Sequence, residues 1–329
     1  MFYFNSFKEF FLNIEMEENI KDNVLKENIK KILENIKKYN NNKYNKPFIE
    51  WIEQITDPKF FLISDIMNYF LDELTSYELK EAVLLLLQKL FELKKENIIS
   101  QIMYNNEFIK GLIDYVNTNE KKNLSESSFY ILCHLYNEEN FEKNYLCEDY
   151  ISSLFYGLNY VHDTILLNEI IDILLNIHFK FKVEDRNFFL EVHIDHPCSR
   201  VLNEILLRII IDEEDKKRLH RILKCLNDIM DNEITSIFCK GDIEIFIDVL
   251  IGQLQSNIST DLTIDLLNSL ERVTLYDEYY DSLYKVDDIT ELMEDFEVNV
   301  EQHSEIRKIS KQIVINITDH QGKHNEMRN

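Results

Sequence analysis

The chain has 329 residues, enough for one elongated domain or two ordinary ones, and 60 acidic against 36 basic side chains give a net charge of -24. That field repels a polyanion, so nucleic acid is excluded as the expected partner. Five cysteines with no Cys-x-x-Cys pair are not a secreted disulfide framework, and no window approaches about twenty uncharged apolar residues; a cytoplasmic protein without a transmembrane segment is expected.

Only five glycines and three prolines, Pro47, Pro58 and Pro197, punctuate the chain, while Leu, Ile, Glu, Lys and Asn dominate in helical alternation. An all-α protein is predicted. The opening MFYFNSFKEFFLNIE lacks a basic leader and is interrupted by Lys8 and Glu9, so no cleaved signal peptide is expected. A first long helix is predicted over 16–38, with Ile20, Val24, Leu25, Ile29, Ile32, Leu33 and Ile36 in one stripe. Within KDNVLKENIKKILENIKKYNNNKYNK, residues 21–46, lysines outnumber acids; this reads as a solvated helix face and an Asn/Lys-rich linker, with an anionic membrane surface as the alternative.

Pro47 and Pro58 suit the first turns of short helices over 48–55 and 59–74, where a missing N–H costs nothing. Residues 77–93, with AVLLLLQKLFEL, are apolar nearly all round and belong in the core. Three later segments share a format: NEFIKGLIDYV from Asn106, EDYISSLFYGL from Glu148 and GDIEIFIDVLI from Gly241. Each opens with an acid at the positive end of a helix dipole, and a longer apolar helix follows, over 126–136, 165–179 and 261–274. The starts lie about 42 and then about 93 residues apart, roughly one and two periods of the armadillo or HEAT class. An armadillo/HEAT-like α-solenoid is the predicted architecture. Further helices are predicted over 197–212, 214–231, 235–239, 286–296 and 301–317. The divisions expected are an N-terminal helical extension with linker at 1–46, the helical-repeat domain at 47–317, and a frayed polar tail at 318–329.

Few residues look chemical. HIDHPC carries His193, Asp195, His196 and Cys198, but no second Cys/His pair supplies the rest of a tetrahedral zinc shell. It reads as an inter-helix turn with solvent-facing histidines ahead of a helix starting at Pro197. Cys133 sits beside His134 in sequence, yet neighbours at i and i+1 do not face each other on a helix, and Cys225 lies in a similar apolar run. Both read as buried small hydrophobes. No phosphate-loop, dinucleotide, nucleophile-elbow or HExxH motif occurs, and acidic pairs such as Asp287 with Asp288 or Glu213 with Glu214 read as solvated faces. No enzyme, cofactor or metal is expected.

DEEDKKRLHRILK, residues 212–224, is read as a helix with its acids in the first turn. Lys216, Lys217, Arg218, Arg221 and Lys224 then follow on the exposed side, while Leu219, Ile222, Leu223 and Leu226 face inward. This is either dipole-compensated solubility or a basic island that orients an acidic partner. On the second reading, reversing Arg218, Arg221 and Lys224 weakens association without lowering thermal stability.

One long run, from NEILLRIIIDEED through ILKCLNDIMDNEITSIFCKGDIEIFIDVLIGQL to YDSLYKVDDITELMEDF, resembles the leucine-rich domain of the family typified by NCK-interacting protein with SH3 domain and its fungal relatives. The resemblance spans about residues 200–296 and extends upstream to SSFYILCHLYNE. It implies an armadillo-like solenoid that binds the actin-related protein 2/3 (Arp2/3) complex and activates it without a preformed filament, seeding linear actin filaments. It also implies a place in the actin cytoskeleton, with other cytoskeletal proteins as further partners, and a scaffold corner at Lys240, Gly241 and Asp242 beside a partner surface. The candidate partner-binding set is thus Lys217, Arg218, Arg221, Lys224, Lys240 and Asp242. Two departures keep open an adaptor for some other protein: Gly241 stands where the family often has Asn, and DLTIDLLNSL lacks the family's Arg and Tyr.

Overall fold

The computed structural model describes residues 29–30, 34, 62–93, 95–118, 126–137, 147–180, 187–231, 238–256, 259–276, 279, 282–299 and 304–327. The helices predicted over 16–38 and 48–55, the lysine-rich 21–46 segment and most of 235–239 lie outside these residues, except that positions 29, 30 and 34 are helical.

Fourteen helices and no strand occur among the described residues. They are α1 (Leu62–Leu71), α2 (Tyr77–Leu93), α3 (Lys95–Met103), α4 (Asn106–Thr118), α5 (Glu126–Tyr136), α6 (Glu148–Tyr160) and α7 (Thr164–Lys180). There follow α8 (Phe188–Asp195), α9 (Ser199–Asp212), α10 (Lys216–Asp231), α11 (Lys240–Gln255), α12 (Thr260–Val273), α13 (Val286–Asn299) and α14 (Ser304–Met327). Short polar side chains set the starts. Asn105 accepts from the Phe108 N–H at 2.9 Å, Asp163 from Ile165 and Leu166 at 2.9 Å, and Asp215 from Lys217 at 2.9 Å. Each supplies an acceptor to a helical N–H that has no intrahelical partner.

The chain divides into two compact units, Met1–Ile170 and Ile171–Asn329, the division falling within α7. In the first unit α1, α4 and α6 pack successively as one layer, and α2 packs on α5 as the other. In the second, α9 packs on α11, while α10, α12 and α14 pack in succession; the pairs α9/α10, α11/α12 and α13/α14 join these layers. Each unit is therefore layered like an α-solenoid: every helix pair covers the apolar face of the next. Pair starts at Asn106, Glu148, Ser199, Lys240 and Val286 recur every 40 to 50 residues or so, and the α9/α10 pair fills the gap left between the three similar segments.

The cores follow from the apolar stripes. Phe108, Phe129, Tyr150 and Phe155 in the first unit, and Phe246, Leu250, Leu266 and Tyr279 in the second, are almost wholly buried. Burying one such side chain is worth about 1.5–3 kcal/mol. Gly157 permits a close approach: a Cβ there would stand 2.8 Å from Ile170 Cδ1 and 3.0 Å from the Phe129 ring.

Several expectations are corrected. Pro197 lies in a turn and α9 begins at Ser199, because Cys198 occupies the cap position and its N–H donates to His196 Nδ1 at 3.1 Å. The acids Glu213, Glu214 and Asp215 precede α10 instead of forming its first turn. The segment 318–327 continues α14 as helix to Met327. Two short helices, α3 and α8, were not anticipated.

Candidate functional site

The basic helix α10 is the middle rung of a polar ladder. Arg218 Nε donates to Asp172 Oδ1 of α7 at 2.8 Å, and its Nη1 to Glu213 Oε2 at 3.2 Å. One turn on, Arg221 donates to the Asn176 side chain of α7; another turn on, the Lys224 ammonium lies 5.6 Å from the centroid of the Phe179 ring. On its other flank α10 meets α12. His220 is paired with Asp265, and Arg272 grips Asp231 through Nε and Nη2 at 2.7 and 2.9 Å, a bidentate fork.

These partners are 41 to 46 residues apart in sequence, one repeat of the architecture. The same device recurs in the first unit, where Ser127 of α5 donates to Gln88 of α2 at 2.7 Å across 39 residues. The inward face of α10 is as predicted: Leu219, Ile222, Leu223 and Leu226 are buried.

The candidate partner-binding residues therefore separate. Lys217 is exposed. Arg218, only 18% exposed, is an internal brace between two carboxylates, and Arg221 and Lys224 are half-buried against α7. Lys240 is exposed and sits 3.8 Å from Glu244. Asp242 accepts from the Cys239 N–H at 2.9 Å and closes the capping box of α11, which is why this corner exists. Gly241 is not forced there: an added Cβ would meet Cys239 Sγ at an ordinary 3.9 Å.

The bracing geometry gives charge reversal at Arg218 a structural cost of its own. Arg218→Glu would place a third carboxylate beside Asp172 and Glu213, and about 2 kcal/mol of stability is expected to be lost. Lys217→Glu, on the exposed side, should stay within about 0.5 kcal/mol of the parent. Urea denaturation of both variants measures the difference, and equal stabilities would remove the brace.

HIDHPC also differs from expectation. His193 is on α8 and fully buried, not solvent-facing; its Nε2 lies 3.1 Å from Asn203 Oδ1 and its ring stacks on Phe189 at 5.8 Å. Behind Phe189 lies a second buried histidine, His178 of α7. The Asn187 amide is 3.0 Å from its Nδ1, and its Nε2 is 3.1 Å from Asp228 Oδ2. An amide donating to Nδ1 places the neutral ring's proton on Nε2, which lies near the carboxylate without a hydrogen bond to it. Burial, reinforced by the nearby His178 and only partly offset by the bond to Asn203, pulls His193 down to about 4, so it is neutral near pH 7. Asp195 is exposed and points to no shared centre with the histidines. Among the described residues, no three of His, Cys, Asp and Glu converge as metal ligands.

Cys133 and Cys225 are fully buried, and burial raises both thiols, so neither offers a thiolate. His134 turns from Cys133 to stack on Tyr130 at 4.2 Å and meet Phe91 edge-on at 4.9 Å.

One surface feature was not anticipated. Leu283 and Lys285 take left-handed backbone, with φ of 45° and 50°. Between them Tyr284 donates to Asp248 of α11 at 3.2 Å, and the Lys285 ammonium reaches the same carboxylate at 2.7 Å. Left-handed backbone costs a non-glycine residue about 1–2 kcal/mol, so this turn is held by its polar contacts. The adjacency of Tyr284 and Lys285 was visible in the sequence; their shared anchor, 36 residues from Tyr284, was not.

No family model and no curated protein matches the chain. Three engineered proteins solved by the Northeast Structural Genomics Consortium align with it. One is 15% identical with a TM-score of 0.38, covering 78% of this chain and 97% of its own. Another is 13% identical with a TM-score of 0.40, covering 94% and 88%. A third is 12% identical with a TM-score of 0.35, covering 78% and 98%.

Proposed function

We propose that the protein is a non-catalytic helical-repeat scaffold whose partner is the Arp2/3 complex, which it activates without a preformed actin filament. The sequence resemblance over 200–296 supplies the partner. The observation that supports the reading is the strained turn at 283–285. It lies inside that run, and it fixes an exposed Lys285 and a half-exposed Tyr284 on the Asp248 anchor at the surface of stacked helices. Backbone strain of this kind is tolerated where a surface must be presented in one shape.

A rigid layered surface needs no bond-making step. If it binds one arrangement of a multi-subunit assembly better than another, about 1.4 kcal/mol of difference shifts their ratio tenfold. Retention of the purified complex on the immobilised chain is the first test. Wild type is expected to retain it, and Tyr284→Ala with Lys285→Ala, which removes both contacts that hold the turn, is expected to weaken retention. Absence of retention by the wild type would refute the partner.

The second reading, a scaffold for a different protein, is favoured by the stretch DLTIDLLNSL, which lacks the family's Arg and Tyr. In the structure α12 continues beyond it to Arg272, whose fork is committed to Asp231. Affinity purification from the native source separates the readings by its dominant prey.

A further inference from the structure

The first unit carries a cavity of about 540 Å³, lined by residues of α1, α2, α4 and the turn joining α1 to α2. Its floor is aromatic and buried. Phe70 and Tyr115 meet edge-on at 5.2 Å, and the half-buried Tyr77 stacks on Tyr115 at 5.9 Å. Tyr115 donates to Glu81 at 2.6 Å; burial and that carboxylate push its hydroxyl far up, so the ring stays a neutral phenol.

The rim has a different character. Glu73 and Asp114 line the cavity and are exposed, with Thr118 beside them. Asp72 acts electrostatically on Lys80, and Glu81 on Tyr77. These four carboxylates outnumber the ammonium of Lys80, and the charge of -24 on the whole chain deepens the same potential.

Lys80 shows what the floor accepts. Its ammonium lies 5.6 Å from the centroid of Phe70, a cation over a ring face. Burial draws its proton affinity down and the neighbouring Asp72 and Glu73 oppose that. Beyond Lys80, space remains beside Tyr77 and Tyr115. Gly111 lines the same wall and lets Leu71 pack close to α4, since a Cβ there would come within 2.5 Å of Leu71 Cδ2.

We propose that this cavity is a binding site for a basic side chain, an arginine or lysine presented by a segment of a partner protein, which packs against the half-buried Tyr77 ring and is held by Glu73 and Asp114. Neutral aromatic faces attract the cation and exclude water from one side of it, while the rim carboxylates supply directed acceptors. A neutral or acidic ligand would leave the two carboxylates unpaired. The site belongs to the first unit and does not rest on the actin-related reading, which rests on residues 200–296; either can fail alone.

The test uses the full chain with methyl-labelled leucines and two peptides, acetyl-Gly-Arg-Gly-amide and its citrulline counterpart, which has nearly the same shape without the charge. The arginine peptide is expected to shift the Leu71 methyl resonances, with the citrulline peptide about tenfold weaker. Glu73→Gln with Asp114→Asn should weaken the arginine peptide by about the same factor while the melting temperature holds, both residues being exposed. Equal responses to the two peptides, no response to arginine, or undiminished binding by the double variant would each overturn the proposal.

Discussion

Phe246→Ala is expected to destabilise the second unit by about 3–5 kcal/mol, because the ring is almost wholly buried and the helices around it cannot fully collapse into the space. Phe246 sits on α11 one turn from Ile243 and Leu250, on the stripe that α9 and α12 cover. The cost combines lost transfer free energy with a residual cavity. Ile245, its neighbour in sequence, is 48% exposed, so Ile245→Ala should cost about 0.5 kcal/mol or less. Urea denaturation of the pair checks which face of α11 points inward; similar losses from both would mean that the stripe is misassigned.

Acid is expected to weaken the second unit through His193. Its pKa is about 4 in the fold, against about 6.5 for an unfolded histidine. Between those values the unfolded chain binds a proton that the native chain refuses, so stability rises with pH across this window and is lost as pH falls from about 6.5 toward about 4. The full contribution is roughly 3 kcal/mol. His178, Asp228 and the carboxylates elsewhere are common to the parent and a His193→Gln variant, which keeps a donor for Asn203. The difference between their stability-versus-pH slopes therefore isolates His193. Parallel slopes from pH 7 to 4.5 would show that the ring is not held neutral.

Much of the fold was legible because it is local. Residues 77–93 and 126–136 were predicted with the boundaries of α2 and α5, since long apolar runs without Gly or Pro admit few alternatives. The short α3 and α8 escaped notice: KENIISQIM and FFLEVHID are too brief for a periodic stripe to declare itself. His193 was misplaced for a related reason. Asp195, His196 and Pro197 make its neighbourhood look like a turn, and only Asn203, on the next helix, reveals the buried role. The basic residues of α10 were found, but their duty was not. Asp172 and Asn176 lie 46 and 45 residues away, and such complementarity becomes visible only when one repeat is laid on the next. The turn at Leu283 and Lys285 gave no signal at all, because neither residue type favours left-handed backbone.

Actin assembly in the presence of purified Arp2/3 complex, monitored by pyrene fluorescence and by imaging of single filaments, tests the central claim most directly. With no preformed filaments added, the chain is expected to shorten the lag and yield unbranched filaments. An unchanged lag, or filaments appearing only as branches on existing ones, would contradict it.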